Sequence, residues 1–192
     1  KATKALEGTI GGPQIALKQS VEARNAADDA EIDAAAEEDA REEDLQEAQV
    51  ALSAKLFGET GSYDAESYRA VFPLSPSALG ALKEVERRAA YVAVSQAIAK
   101  GVPKAADAAA KAVSAAHGEF AKAVQARATA ATQLADAIKA EGKARDNWHT
   151  AIRQLKAQLT NLYPRSPKKV LKFFPAPGKA TKKAPAPLPA LQ

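Results

Sequence analysis

The chain has 192 residues, which is enough for one hydrophobic core, and it contains no cysteine, so disulfides and thiolate metal sites are excluded. Alanine with Glu, Lys, Leu and Arg dominates residues 13–162, a bias typical of long helices and coiled coils. The net charge of +4 is unevenly spread: residues 1–100 hold 11 Lys/Arg and 18 Asp/Glu (−7), whereas residues 101–192 hold 16 and 5 (+11).

Glycine and proline divide the chain into predicted helices. Gly11, Gly12 and Pro13 are typical of a helix start, which makes residues 1–12 an N-terminal extension. No apolar stretch approaches the roughly 20 residues that a membrane span needs. We predict an all-α fold, an elongated bundle or antiparallel coiled coil of three main helices within residues 13–163. Its helices are expected at about 13–57, 64–72, 76–100 and 103–162.

The first predicted helix carries a dense acidic run. Eleven Asp and Glu lie between Asp28 and Glu47. The many alanines beside them favour a solvated helix, or a helix that faces a basic partner, over a disordered acidic tail. Carboxylates one turn apart could hold a cation weakly, but without a Glu-x-x-His pattern a solvated face is favoured and no metal is predicted. Within the acidic run, the candidates for partner contact are Glu38, Glu42 and Glu43.

The last predicted helix keeps a strict heptad register. Alternate steps of three and four from Val113 reach Leu162 through mainly apolar or small residues, the signature of a coiled-coil seam. Arg127, Arg145 and Trp148 fall on the same stripe. Polar seam residues often fix register and partner choice, so these three are also candidates for partner contact.

An internal duplication is predicted from self-similarity. A shift of 103 positions lays the last helix on the first, so that Leu52 meets Leu155 and Glu38 meets Glu141. After each helix comes a Tyr, a short basic and apolar segment, and then Phe-Pro. The proposed repeat relates residues 17–76 to residues 120–177, and the alternative is a shared coiled-coil period in biased composition.

The last 29 residues read as a basic, proline-rich tail. Residues 164–192 contain seven Pro, seven Lys or Arg and no acid, a composition that favours extended backbone. Three interpretations stay open: a flexible tail, a contact with nucleic acid, and docking on an acidic protein partner. We prefer the third, with contacts expected from Lys168, Lys169, Val170, Leu171, Phe173 and Phe174.

Motifs for chemistry are nearly absent. His117 and His149 lie 32 residues apart on one predicted helix, about 50 Å at 1.5 Å per residue, so they cannot share a metal ion within one subunit. No nucleophile pattern or phosphate-binding glycine loop accompanies them. We expect no enzyme activity, no cofactor and no small-molecule substrate.

The sequence therefore favours a structural protein that associates with itself, as the subunit of a filament or another multi-subunit assembly. In this hypothesis acidic helices contact basic helices or tails of neighbouring copies. One alternative is a nucleic-acid-binding or compacting protein that acts through its basic tail, and a further one is a phage or secretion-system scaffold or tether. Localisation stays open, because the chain starts at Lys1 and contains no Met.

Overall fold

The structure, a computed structural model, describes residues 2–174, with side chains from Gly8 onward. Every regular element in this range is a helix, so the all-α prediction is confirmed for the described part of the chain. No helix of this part is both long and apolar enough to cross a membrane. The elements are α1 (Ala2–Thr60), α2 (Glu66–Val71), α3 (Pro76–Gly80), α4 (Glu84–Lys100), a 3-10 helix (Lys104–Ala106), α5 (Asp107–Leu162) and α6 (Pro167–Phe173).

Helix α1 begins earlier than predicted. The structure shows helix from Ala2, with Pro13 inside it, where the sequence predicted an extension over residues 1–12. A proline inside a helix removes one backbone hydrogen bond and is costly by itself. Packing of the turn before Pro13 offsets this cost, because Ile10 contacts an apolar cluster and Thr9 donates a hydrogen bond to Gln158 at 3.3 Å. Tertiary contacts override the local start signal here.

Glycines end two of the helices. The N–H of Gly61 donates to the carbonyl of Phe57 at 2.7 Å, and Gly61 has φ 66°, so α1 ends at Thr60 and not at about residue 57. Gly101 has φ 124° and follows α4, as predicted. These positive φ values are conformations that glycine adopts without strain.

Two further predicted elements differ from the structure. The helix expected at 76–100 is interrupted between α3 and α4, where Lys83 is extended with ψ 151°. This break allows both Leu79 and Leu82 to reach the core. The segment after Pro164, expected to be extended, contains α6, which has Pro167 in its first turn. The rest of the predicted tail, residues 175–192, lies outside the described residues.

The chain divides into two compact units. The large unit comprises residues 22–139, and the small unit comprises residues 1–21 and 140–192. Each unit has its own apolar cluster.

In the large unit, α4 and the first part of α5 pack on α1. Arg127 pairs with Glu31 and Glu38, whereas Glu119, two turns earlier in α5, lies near Arg41, so α5 runs antiparallel to α1 in this unit. Helix α4 also contacts α2 and α3. The buried core consists of Leu45, Leu52, Leu56, Tyr68, Val71, Phe72, Leu79, Tyr91, Val94, Ile98, Ala106, Ala110, Val113 and Phe120.

The small unit has a smaller core. Leu155 and Leu159 of α5 and Val170 of α6 are buried together, and Ile10 and Phe174 pack against them. Val170 is 5% exposed, which explains why the short α6 stays on the C-terminal turns of α5. Burying each such aliphatic side chain stabilises the fold by about 1.5–3 kcal/mol.

Candidate protein-interaction surfaces

Glu38 lies inside the large unit. Its residue surface is only 4% exposed, and its carboxylate pairs with Arg88 of α4 and, at 3.4 Å, with Arg127 of α5. Arg127 also lies 3.6 Å from Glu31. The hydrogen bond to Glu38 raises the pKa of Arg127 above its ordinary value. Glu38 and Arg127, both predicted to contact a partner, therefore compensate each other's charge within one chain.

Glu42 belongs to a second polar cluster in the same unit. Arg87 donates to Glu42 Oε2 at 3.0 Å, and the hydroxyl of Tyr91 donates to Glu42 Oε1 at 3.0 Å. Gln46 donates to the same hydroxyl at 3.1 Å. Burial raises the pKa of Tyr91 to about 12, so this hydroxyl stays protonated at neutral pH and can donate. This cluster attaches α4 to α1.

The opposite side of α1 presents an exposed acidic stripe. Glu43 and Glu47 are exposed and form no ion pair with another described residue. Ile32 and Val50, 58% and 57% exposed, lie at the two ends of the same stripe. Successive steps of three or four residues place six exposed residues on this face of α1. We call the surface the acidic stripe; it comprises Ile32, Ala36, Asp39, Glu43, Glu47 and Val50.

Two of the predicted contact residues lie on α5 in the small unit. The guanidinium of Arg145 pairs with Glu141 one turn earlier, yet its side chain is 60% exposed. Trp148 is half-buried, and its ring centroid lies 5.1 Å from that of His149. Both residues therefore keep part of their surface open to solvent.

The six residues predicted in the tail divide into two sets. Val170 is buried and Phe174 packs beside it, so these two stabilise the small unit. Leu171 and Phe173 are 60% and 59% exposed, and Lys168 and Lys169 are exposed next to them.

These exposed residues form a basic and apolar surface. The ammonium of Lys169 lies 5.6 Å from the ring centroid of Tyr163, and no acidic residue follows Asp146 in the sequence. We call this surface the basic face; it comprises Arg165, Lys168, Lys169, Leu171, Lys172 and Phe173.

The large unit also has an aromatic pocket that sequence reasoning missed. It has a volume of about 410 Å³, and Val50 at the end of the acidic stripe is part of its wall. Tyr63 stacks on Phe57 at 4.3 Å between ring centroids and meets the edge of Tyr68 at 5.2 Å. Its lining comprises Val50, Ser53, Tyr63, Tyr68, Ser75, Pro76 and Ser77.

The pocket could not be predicted from residue spacing, because its wall comes from separate segments: α1, the turn before α2, α2 itself, and the start of α3 with Ser75 before it. The available signal was local: aromatic residues cluster in "LFGETGSYDAESYRAVF", where four of them lie within 16 residues, Phe57 to Phe72. This density is well above the 5% of the whole chain and favours a local aromatic cluster.

Within the described part of the chain, no group of three His, Asp or Glu side chains converges in a way that could hold a metal ion. The acidic residues of α1 instead point to different sides of the helix, toward the arginines of the core or toward solvent.

Comparison with models of known protein families, with curated proteins and with solved structures finds no match for this chain.

Proposed function

We propose that this protein is a structural, self-associating helical protein, the subunit of a filament or another multi-subunit assembly. The observation that carries the proposal is the pair of exposed surfaces of opposite charge. The acidic stripe offers Glu43 and Glu47, and the basic face offers Lys168 and Lys169. Contact between the stripe of one copy and the basic face of the next would be attractive, and its charges would steer the encounter.

The same proposal includes the arrangement and the origin of the helices. We infer an elongated coiled-coil arrangement that arose by duplication of a long helix, a turn and a short helix. Corresponding positions support it: among the residues whose burial is described, Glu38 and Glu141 are the two buried acidic residues, at 4% and 9% exposure. Phe72 and Phe174 end α2 and α6 with similar backbone angles, φ −118° and ψ 84° against φ −128° and ψ 73°, and each precedes a proline.

Sedimentation velocity at different salt concentrations tests the proposed association. Raising salt from about 0.01 M to about 0.15 M shortens the screening length from about 30 Å to about 8 Å, so assembly should weaken. Larger species at low salt that dissociate as salt rises are expected. A monomer at micromolar concentration and low salt contradicts the proposal.

A charge-reversal pair makes the test specific. One variant combines Glu43→Lys with Glu47→Lys, and the other combines Lys168→Glu and Lys169→Glu with Lys172→Glu, which makes the basic face acidic. Each variant alone should associate more weakly than the natural chain, because both of its surfaces then carry the same sign. An equimolar mixture should recover assembly in which the two variants alternate. Glu86→Lys, at an exposed site on α4, is the control and should leave assembly unchanged.

Nucleic-acid binding is the second candidate, favoured by the cluster of Lys and Arg without acids after Asp146. It predicts duplex DNA binding that falls steeply with salt and is lost in Lys168→Glu with Lys169→Glu. The exposed acidic stripe on the same chain speaks against it, because it repels phosphates.

A further inference from the structure

Phe173 is an exposed aromatic residue in a strongly basic setting. Its surface is 59% exposed, and Lys168, Lys169 and Lys172 lie on the same short helix. The core of the small unit does not use it, because Val170 and Phe174 of the same segment make the packing contacts there. An unpacked benzyl group between lysines is a candidate anchor for a partner that offers both an apolar cavity and negative charge.

The aromatic pocket of the large unit offers an apolar cavity with negative charge nearby. The pocket is an open depression in the surface, and its volume of about 410 Å³ is large enough for a benzyl group, since an apolar cavity of about 150 Å³ in another protein binds benzene. Tyr63 in its wall is 57% exposed and would offer its free ring surface to the guest, a contact favourable for aromatic pairs, whereas Tyr68 beneath it is buried.

The charges around the pocket complement those around Phe173. Glu47 lies one turn before Val50 on α1, and Glu43 lies one turn before Glu47, both exposed. A helix that carries Lys169 and Lys172 beside its aromatic residue would thus meet carboxylates at the edge of the cavity. Self-contact of two basic faces is disfavoured, since neither would supply an acid.

We propose that Phe173 of one copy inserts into the pocket lined by Val50, Tyr63, Tyr68 and Pro76 of a second copy. This inference rests on the proposed self-association and names the two surfaces that meet. Each copy gives one phenylalanine and offers one pocket, so the contact is heterologous. Such contacts propagate into open chains unless the rotation between copies closes a ring.

The test uses one variant for each side of the contact. Phe173→Ala removes the inserted side chain, and Ser77→Trp fills the pocket from an exposed position of its lining. Each should weaken association by about tenfold or more, the size typical of a buried aromatic anchor. Ile138→Ala is the control, because Ile138 is a similarly exposed apolar residue, at 52%, and belongs to neither of the two surfaces, so it should change association less than about threefold.

Mixing the two variants gives the sharpest outcome. Phe173→Ala keeps an open pocket, and Ser77→Trp keeps its phenylalanine, so an equimolar mixture can form one intact contact but not two. Sedimentation velocity should therefore show dimers without larger species. A mixture that behaves like its separate components, although both variants keep the far-UV circular dichroism of the natural chain, overturns the insertion.

The inference and the proposed function fail in different ways. If the natural chain assembles and the charge-reversal variants do not, yet Phe173→Ala and Ser77→Trp assemble normally, the insertion is wrong and the charged contact stands. If the natural chain stays monomeric at low salt, self-association itself is wrong. Loss of assembly on Ile138→Ala as large as that on Phe173→Ala also overturns the insertion, because it indicates a general effect of exposed apolar residues.

Discussion

The two units differ in what covers their helices. In the large unit, α4 packs on α2, and Val71 at the end of α2 is 2% exposed. In the small unit no second long helix follows α6 within the described residues, and Phe173, near the end of α6, is 59% exposed. The same local design, a short helix after a long one, thus yields a closed core where α4 is present and an open surface where it is not.

The two units also differ in how far their charged side chains are buried and paired. Helix α4 brings Arg87 and Arg88 to Glu42 and Glu38, which closes the large unit with compensated charges. The position that corresponds to Glu42 in the proposed repeat is Arg145, and its side chain is 60% exposed. The small unit therefore keeps this cation largely exposed to solvent, although it pairs with Glu141, whereas Arg87 and Arg88 of the large unit are partly buried against carboxylates.

Truncating one core leucine in each unit should give the largest difference in the free energy of unfolding between the two units. Leu52→Ala in the large unit should lower the free energy of unfolding by about 4 kcal/mol, since this side chain has no exposed surface. Leu155→Ala, at the position that the proposed repeat aligns with Leu52, should cost only about 2 kcal/mol, because Leu155 is 9% exposed in a smaller core. Urea unfolding followed by far-UV circular dichroism measures both. Equal losses would indicate that α4 adds nothing to the burial of Leu52.

Reversing the charge of Glu42 should have the next largest effect on the free energy of unfolding. Glu42→Arg gives the large unit the residue that the small unit has, and places it beside Arg87, whose side chain is 23% exposed. We expect a loss of about 3 kcal/mol, because a partly buried cation loses its partner and meets a like charge.

Adding Arg87→Glu to Glu42→Arg should restore about 1–2 kcal/mol by rebuilding the pair in the opposite order. The reversal of Glu43, exposed on the acidic stripe, is the control and should change the free energy of unfolding by less than about 0.5 kcal/mol. If the double variant is no more stable than Glu42→Arg alone, the pair does not hold α4 to α1.

Alkaline pH should act on the large unit through Tyr91. Its pKa is raised to about 12 by burial, whereas a tyrosine in the unfolded chain titrates near about 10. A raised pKa means that the folded state holds the proton more tightly. The stability that this contributes is complete below pH 10 and is lost as the pH rises through 12.

The measurement is a comparison of the natural chain with Tyr91→Phe. At neutral pH the substitution should cost about 1 kcal/mol, since it removes hydrogen bonds to Glu42 and Gln46. This difference in the free energy of unfolding should shrink between pH 10 and pH 11, because only the natural chain loses the contribution of Tyr91. A constant difference would contradict burial of an un-ionised hydroxyl.

Much of the fold could be predicted from local signals. Gly101 ends α4 because its positive φ suits glycine, and Ser75 with Pro76 starts α3, where the Ser75 hydroxyl accepts from the N–H of Ala78 at 3.3 Å. The same Ser-Pro signal at Ser166 and Pro167 also marks the start of α6, but the basic, proline-rich composition around it favoured extended backbone. The start of α1 was missed because the packing of Ile10 outweighs the local preference of Pro13.

The interaction surfaces were predictable only in part. The sequence pointed to Phe173 and Glu43 through composition and charge, and both are exposed. It could not tell that Glu38 is enclosed, because its partner Arg88 lies 50 residues away on a different helix. Gln49 is also unexpected: it is 1% exposed in the core, and its amide atoms make no hydrogen bond among the described residues.

The half-buried Trp148 gives the natural chain a built-in optical reporter. It is the only tryptophan, and it lies on the small unit, whereas three of the four tyrosines, Tyr63, Tyr68 and Tyr91, lie on the large unit. Fluorescence excited selectively at the indole therefore follows the small unit alone, and tyrosine absorbance follows mainly the large unit. Melting of one unit before the other would be visible without any label or substitution.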